Sequence, residues 1–197
     1  MQRSKSFSAS SIAALVALVA LSSGTGSRAA APAEASGQVV TGAWQHHHVS
    51  FTYYGITALY SCDGLETNVR SLLLHLGARK DAKVSAMGCP NGPSVPGHNA
   101  IIEVDFYTLS PSSDANDTVQ AQWMPVLVNS THPNFMGRGD CELIDQMKDL
   151  ISKNFSLREL SYRTDCVPHE VSIDGFTIKA QALKELPAPT SRTTRGY

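Results

Sequence analysis

Four cysteines mark out two segments of this chain that resemble each other. The first runs from Cys62 to Cys89 and the second from Cys141 to Cys166, with 26 and 24 residues between the cysteines. Each opening cysteine is followed by an acidic residue, and each closing cysteine is followed within two residues by a proline. Because internal similarity at a fixed spacing is typical of repeated structural units, the pattern predicts an internal duplication.

Apolar residues at helical spacing predict one amphipathic helix after each opening cysteine. They are Leu65, Val69, Leu72 and Leu76 in the first segment and Leu143, Ile144, Met147, Leu150 and Ile151 in the second. Ser61 and Asp140 immediately precede the cysteines and are residue types that cap helix N-termini. Gly77 suits the left-handed conformation in which many helices end.

Runs of β-branched and aromatic residues predict strands around each helix. The stretch "VSFTYYGITALYS" precedes the first helix, and "VQAQWMPVLV" occupies the corresponding place before the second. Each helix is followed by a strand that ends at the closing cysteine, and then by an alternating run that begins at His98 or His169. Pro125 within the second stretch favours a sheet edge or a bulge. Each half is therefore predicted to be β-α-β-β.

The predicted fold class is α+β, a duplicated β-α-β-β unit with helices on one face of a mainly antiparallel sheet. This element order resembles ferredoxin-like folds in general. The predicted halves span residues 44–109 and 119–186 and are joined by a linker at 110–118 ("SPSSDANDT"). Residues 32–43 and 187–197 have the composition of flexible or disordered segments.

The layout also predicts which cysteines pair. In a β-α-β unit the helix begins at the carboxyl end of the first strand, and a parallel second strand ends at the same sheet edge. Cysteines at these two places would lie within the roughly 7 Å that a disulfide spans between Cα atoms. We therefore expect Cys62–Cys89 and Cys141–Cys166, although four cysteines allow three connectivities.

Residues 1–31 have the pattern of a secretory signal peptide. Arg3 and Lys5 precede an apolar stretch at residues 12–21, and small residues follow near Ala31. The apolar stretch is shorter than the roughly 20 residues that span a bilayer. We expect a periplasmic or secreted protein with no transmembrane segment after cleavage, and a short uncleaved anchor is the alternative.

Charge argues against two classes of partner. Cleavage would remove Arg3, Lys5 and Arg28 from the 16 Lys and Arg, which leaves 13 against 17 Asp and Glu, a net charge of −4. No basic run remains. This balance argues against nucleic acid or an anionic membrane surface as a partner.

The loop "NSTHPNFMGRGD" before the second helix is the predicted ligand-binding region. It has no counterpart before the first helix, and insertions beside a rigid element often carry binding residues. The candidate ligand-binding residues are Arg138, His132 and Asn134, together with His98 in the loop 90–99, which the layout places at the same edge. A packed structural loop is the alternative. The tripeptide "RGD" at 138–140 is too short to indicate integrin binding.

Three consecutive histidines in "WQHHHVSF" suggest a metal site. On a strand His46 and His48 would share one face, and two imidazoles with a third ligand could bind Cu²⁺ or Zn²⁺. His98 and His169 are candidate third ligands, but the layout places them near the opposite sheet edge. An exposed polar strand is therefore the alternative. His75, within the first helix, is interpreted as a residue at the boundary of the core.

Catalytic signatures are missing from the sequence, which has no G-x-S-x-G elbow, H-E-x-x-H helix or glycine-rich phosphate loop. The predicted function is a non-enzymatic, disulfide-stabilised binding or envelope-assembly module that needs no cofactor and has an unidentified protein, peptide or cell-wall ligand. Three alternatives remain open: a periplasmic Cu²⁺ or Zn²⁺ binding protein, a small exported hydrolase, and a peptidoglycan-binding module. The last rests only on a similar element order in SPOR domains.

Overall fold

The computed structural model describes residues 37–89, 92–112, 117–166 and 175–187. The predicted signal peptide, the centre of the predicted linker and nearly all of the predicted tail lie outside these ranges. His169, a candidate metal ligand, also lies outside them.

Six strands and two α-helices make up the described part of the chain. Their bounds are β1 (Val39–Tyr54), α1 (Cys62–Leu76), β2 (Lys83–Met87), β3 (Asn99–Pro111), β4 (Thr118–Asn129), α2 (Cys141–Asn154), β5 (Leu157–Thr164) and β6 (Phe176–Glu185). A short 3-10 helix, Arg138–Asp140, leads into α2. The strands form one antiparallel sheet in the order β2-β3-β1-β4-β6-β5. The α+β class is therefore confirmed, and the two predicted halves share a single sheet.

The strand order differs from the ferredoxin-like arrangement that the sequence suggests. β1 and β2 both pair antiparallel with β3, so they run parallel to each other with β3 between them. β4 and β5 flank β6 in the same way. β1 and β4, the first strands of the two halves, lie side by side at the centre of the sheet. This continuous six-stranded order does not confirm the ferredoxin-like duplicated unit.

Strands extend beyond the predicted halves. β1 begins at Val39, within the segment 32–43 that is predicted to be flexible. β3 runs to Pro111 and β4 begins at Thr118, so both enter the predicted linker 110–118. The reason is strand pairing through backbone hydrogen bonds: the start of β1 pairs with β4 on one side and with the end of β3 on the other.

Both helices pack on one face of the sheet, as predicted. A single core cluster contains the buried residues of α1 and α2 together with alternate residues of the strands. Along β3, for example, Ile102, Val104 and Phe106 are buried, whereas Glu103 between them is exposed. A smaller cluster lies on the opposite face and contains Leu109, Ala121, Trp123 and Leu183. The sheet therefore buries apolar side chains on both faces, but mainly beneath the helices.

The two helix starts are held differently. Ser61 caps α1 as predicted, because its hydroxyl accepts a hydrogen bond from the Gly64 N–H at 3.0 Å. Asp140 does not cap α2. Its buried carboxylate instead accepts hydrogen bonds from the Tyr60 hydroxyl and from the Gly137 N–H. Burial raises the pKa of Asp140, and the acidic residue of the "RGD" tripeptide is therefore not a free surface group.

Both predicted disulfides are present. Cys62 pairs with Cys89 at a Cα–Cα distance of 6.1 Å, and Cys141 pairs with Cys166 at 5.8 Å. Each bridge ties the first residue of a helix to the segment just after the following strand. No helix in the described ranges is long and apolar enough to span a membrane.

Glu142, in the first turn of α2, binds the turn that joins β1 to α1. Its carboxylate accepts hydrogen bonds from the backbone N–H groups of Ile56, Thr57 and Ala58, with Oε2 at 2.9, 3.2 and 3.2 Å. A carboxylate that accepts several N–H groups gives charge-assisted bonds, which are stronger than neutral ones. The second helix therefore fixes a turn that belongs to the first half of the chain.

Removal of either disulfide should destabilise the fold by a similar amount. Cys62→Ser/Cys89→Ser opens a bridge across 27 residues and Cys141→Ser/Cys166→Ser one across 25. We expect each double variant to lose about 3 kcal/mol of unfolding free energy, because the unfolded chain regains loop entropy. Urea unfolding measures the loss, and non-reducing peptide mapping checks the pairing. Crossed pairs in the map, or an unchanged unfolding free energy, would contradict the expectation.

Glu142→Ala should lower the unfolding free energy by about 2 kcal/mol, since three N–H groups lose a charged acceptor. Asp149→Ala is the matched control on the same helix, because Asp149 forms only an exposed ion pair with Lys153. We expect less than about 0.5 kcal/mol for the control. Equal losses of unfolding free energy in the two variants would show that the Glu142 hydrogen bonds stabilise the fold no more than the exposed Asp149 ion pair does.

Candidate functional site

The central strand pair is short, and this leaves part of β4 with a free side. β1 pairs with β4 only over Val39–Ala43 and Thr118–Gln122. Beyond Gln122, the only strand in the described ranges that pairs with β4 is β6. Pro125 lies in this stretch, which suits a residue without a backbone N–H. The end of α1 and the loop before α2 approach β4 here.

A cavity of about 600 Å³ lies against this stretch of β4. Its volume falls within the range of roughly 300–1,000 Å³ that is common for small-molecule sites. Its lining comes from α1, β4, the loop before α2, and the β5–β6 pair. The lining residues are His75, Pro125, Val126, Leu127, His132, Glu159, Lys179, Ala180 and Gln181. Most of the wall is formed by apolar residues of β4 and β6, and the polar side chains lie around them.

Two histidines meet at the α1 side of the cavity. The rings of His75 and His132 lie 5.8 Å apart, nearly perpendicular to each other. His75 Nε2 donates a hydrogen bond to the Leu127 carbonyl at 3.1 Å, because a carbonyl can only accept. Burial, with smaller contributions from Lys184 and His132, lowers the pKa of His75. The imidazole is therefore neutral at pH 7, with its Nε2 proton committed to the backbone.

Glu159 is the acidic residue in the described lining of the cavity. It lies in a β-bulge of β5, where the pairing register shifts between Arg158 and Ser161, and its φ of 53° is in the left-handed region. Bulges of this kind turn a side chain away from the regular strand direction. The Glu159 carboxylate accepts a hydrogen bond from Gln181 Nε2 at 2.9 Å. The bulge therefore places a partnered acid at the cavity wall.

A second, smaller cavity of about 230 Å³ shares Lys179 with the first. Ser161, Arg163 and Thr177 are the other described residues of its lining. On β5 and β6, Ser161 lies opposite Lys179 and Arg163 lies opposite Thr177, so all four side chains share one face of the strand pair. The two cavities therefore adjoin through Lys179.

The candidate residues predicted from the sequence have different partners in the structure. His132 lines the large cavity beside the end of α1. His98 Nδ1 lies 3.0 Å from the Gly55 carbonyl, before the start of α1. Asn134 is exposed in the loop, and Arg138 begins the 3-10 helix. Of these four residues, only His132 lies at the cavity.

His46 and His48 share an exposed face of β1, as the alternation of a strand requires. Between them lies Asp105 of β3, whose Oδ2 is 3.0 Å from His46 Nε2 and 3.8 Å from His48 Nδ1. No motif in the sequence marks this carboxylate, which strand register alone brings there. Within the described ranges no group of three or more His, Cys, Asp or Glu side chains is already arranged to hold a metal ion.

His47 faces the core and has a structural role. Its Nε2 lies 2.8 Å from the Thr108 hydroxyl, which itself donates to the Asn154 carbonyl at 2.7 Å. Since the hydroxyl proton is used in that bond, His47 must donate to the hydroxyl oxygen and cannot act as its base. Burial lowers the pKa of His47. This pair therefore does not provide an activated nucleophile.

Glu159, Lys179 and Gln181 line the cavity without any sequence motif that indicates it. They converge only through the β5–β6 register and the bulge. No protein-family model matches the chain, and no curated protein or solved structure gives a significant match. The chemistry of the cavity is therefore the basis on which a function is proposed.

Proposed function

We propose that the chain is an exported, disulfide-stabilised, non-enzymatic binding module, and that its ligand places a largely apolar group in the cavity beside β4. The observation that carries this proposal is the cavity itself, about 600 Å³ with a wall of paired strands. Concave, mostly apolar sites with a few convergent polar groups are the usual form of small-ligand sites. A free small molecule fits this description, and so does a group carried by a peptide or cell-wall partner.

The wall of the cavity favours an apolar group. Pro125, Val126 and Leu127 of β4 and Ala180 of β6 provide its strand side. Val126 and Ala180 are also paired across the two strands, so the backbone of this surface is ordered by strand pairing without a ligand. A preformed site avoids the entropy cost of ordering the wall on binding.

The polar groups of the cavity favour binding over catalysis. Its described lining contains no hydroxyl or thiol that could act as a nucleophile. His75 has already committed its Nε2 proton to Leu127, and Glu159 accepts from Gln181. With the Nε2 proton of His75 used in this way, its Nδ1 can still accept a proton, but the described lining offers no nucleophile for it to activate. These contacts support a binding module and argue against the hydrolase alternative.

Export and an internal duplication belong to the same proposal. Two disulfides that involve all four cysteines are consistent with an oxidising compartment. In each half the bridge joins equivalent places, a helix start and the end of the following strand. The sheet order places the strands of the two halves symmetrically about β1 and β4. These correspondences support an origin by duplication, in an arrangement other than the ferredoxin-like one.

Gln181→Phe should abolish binding in the cavity, because an aromatic ring at this rim position occupies the space of the ligand. The probe is octan-1-ol, a neutral apolar molecule, followed by amide chemical shifts in ¹⁵N-labelled protein. We expect shifts at Leu127, Ala180 and Gln181 in the wild type and none at the first two in the variant.

Gln120→Phe is the matched control for this experiment. Gln120 is an exposed glutamine of β4 that does not line the cavity, and the same substitution there should leave the octan-1-ol shifts unchanged. A wild-type protein without shifts at the cavity, or shifts that persist in Gln181→Phe, would overturn the proposed site.

A second candidate function is the binding of Cu²⁺ or Zn²⁺ at His46 and His48. The observation that favours it is the position of Asp105, whose Oδ2 approaches nitrogen atoms of both histidines at 3.0 and 3.8 Å. Ligand atoms around a tetrahedral ion with bonds of about 2.1 Å are about 3.4 Å apart. Because these side chains are about half exposed, rotation alone would convert their mutual contacts into contacts with an ion.

Calorimetry with CuCl₂ on untagged protein tests this second function. We expect one Cu²⁺ ion with a dissociation constant in the micromolar range, and at least tenfold weaker binding in His46→Ala and in His48→Ala. His98→Ala is the control, since His98 contacts Gly55 instead. Absent or millimolar binding, or equal affinity in all variants, would remove this candidate.

A further inference from the structure

Two cations beside the large cavity have no partner in the described structure. Arg163 and Lys179 form no ion pair or side-chain hydrogen bond among the described residues. They lie diagonally across the β5–β6 pair, since Ser161 is opposite Lys179 and Thr177 is opposite Arg163. Diagonal neighbours of this kind have Cα atoms about 7–8 Å apart, within reach of long side chains. Two like charges this close repel each other unless an anion lies between them.

Arg79 is less exposed than Arg163 and Lys179 and is a cation with close partners. Arg79 donates two hydrogen bonds of 2.8 Å to the Asp81 carboxylate, and its guanidinium lies 3.6 Å from the centre of the Tyr107 ring. Its charge is thus balanced by an acid and covered by an aromatic face. Arg163 and Lys179 have neither kind of partner within the described ranges, although the same side-chain chemistry is available to them.

The groups around these two cations are suited to an anion. The hydroxyls of Ser161 and Thr177 share their face and can donate hydrogen bonds. A guanidinium and an ammonium provide further donors, and the fork of arginine matches carboxylate and phosphate groups. The small cavity, of about 230 Å³, has room for such a group. Cations and hydroxyls therefore converge in the small cavity, whose described lining contains no acid, while Glu159 lines the adjoining large cavity.

The position of Lys179 joins this surface to the apolar cavity. Lys179 lines both cavities, with its strand neighbour Gln181 on one side and Thr177 on the other. We propose that the ligand is an amphipathic anion, whose apolar part occupies the large cavity while its carboxylate or phosphate head is held by Arg163 and Lys179. This inference rests on the proposed function, because it names the class of ligand for the same site.

Calorimetric titration with a matched series of eight-carbon probes tests the inference on the whole protein. The series is octan-1-ol, octanoate, octyl phosphate and octylammonium, which share an alkyl chain and differ in the head group. We expect the better of the two anions to bind about tenfold more tightly than octan-1-ol, and octylammonium to bind more weakly than octan-1-ol. The comparison of octanoate with octyl phosphate shows whether the site prefers a carboxylate or a phosphate.

In Arg163→Gln/Lys179→Gln the anions should bind no more tightly than octan-1-ol does to the same variant, because the charges that distinguish the head groups are gone. Lys83→Gln/Lys153→Gln removes the same charge from exposed positions elsewhere and should keep the preference for anions. If octan-1-ol binds but the anions bind no better, or if the preference survives Arg163→Gln/Lys179→Gln, the inference fails while the cavity stands. If no probe binds, the proposed function fails with it.

Discussion

Five residue pairs between β1 and β4 join the two halves of this protein into one sheet. The pairing is antiparallel and staggered, so each strand continues past the end of the other in the opposite direction. Backbone groups beyond the overlap cannot bond to the neighbouring strand and need other partners, because buried unpaired polar groups are costly. Much of the remaining structure supplies these partners.

Beyond the overlap of β1 and β4, side chains of the helices form hydrogen bonds with the backbone of these strands. The side-chain amide of Gln146 in α2 both donates to and accepts from the backbone of Tyr54 at the end of β1, at 2.9 and 2.8 Å. His75 of α1 bonds to β4 in a similar way, because its ring donates a hydrogen bond to the Leu127 carbonyl. Lys184 of β6 in turn donates to the His75 carbonyl at 2.6 Å. Each helix is thus bonded to a strand of the other half, and the two halves depend on each other for these polar contacts.

The cavity is a direct consequence of the same stagger. On the side of β4 away from β6, no described strand pairs with it beyond Gln122, and His75 and His132 line the cavity at this end of β4. The β5 bulge then directs Glu159 to this space, and the register of β6 adds Lys179. A continuous six-stranded ladder without this stagger would have filled the position with another strand. The feature that joins the halves therefore also creates the site.

Local interactions are what the sequence by itself determined. Apolar spacing, the Ser61 cap and Gly77 define α1, and the two cysteine pairings follow from a helix start and a strand end that meet at one edge. These predictions succeed because they depend on residues within about 30 positions of one another. Asp140 is the exception, because its carboxylate does not cap α2 but accepts a hydrogen bond from Tyr60, a residue 80 positions away.

Only the tertiary structure decided the strand order, the partners of the histidines and the cavity. The order depends on which edges of two similar halves meet, and hydrophobic alternation is the same for every order. Asp105 reaches His46 from 59 positions away, and His75 reaches Leu127 from 52. The bulge residue with a positive φ is Glu159 and not a glycine, so the residue type did not predict a bulge at this position. Contacts of this range are set by sheet register, which the pattern of a single strand does not encode.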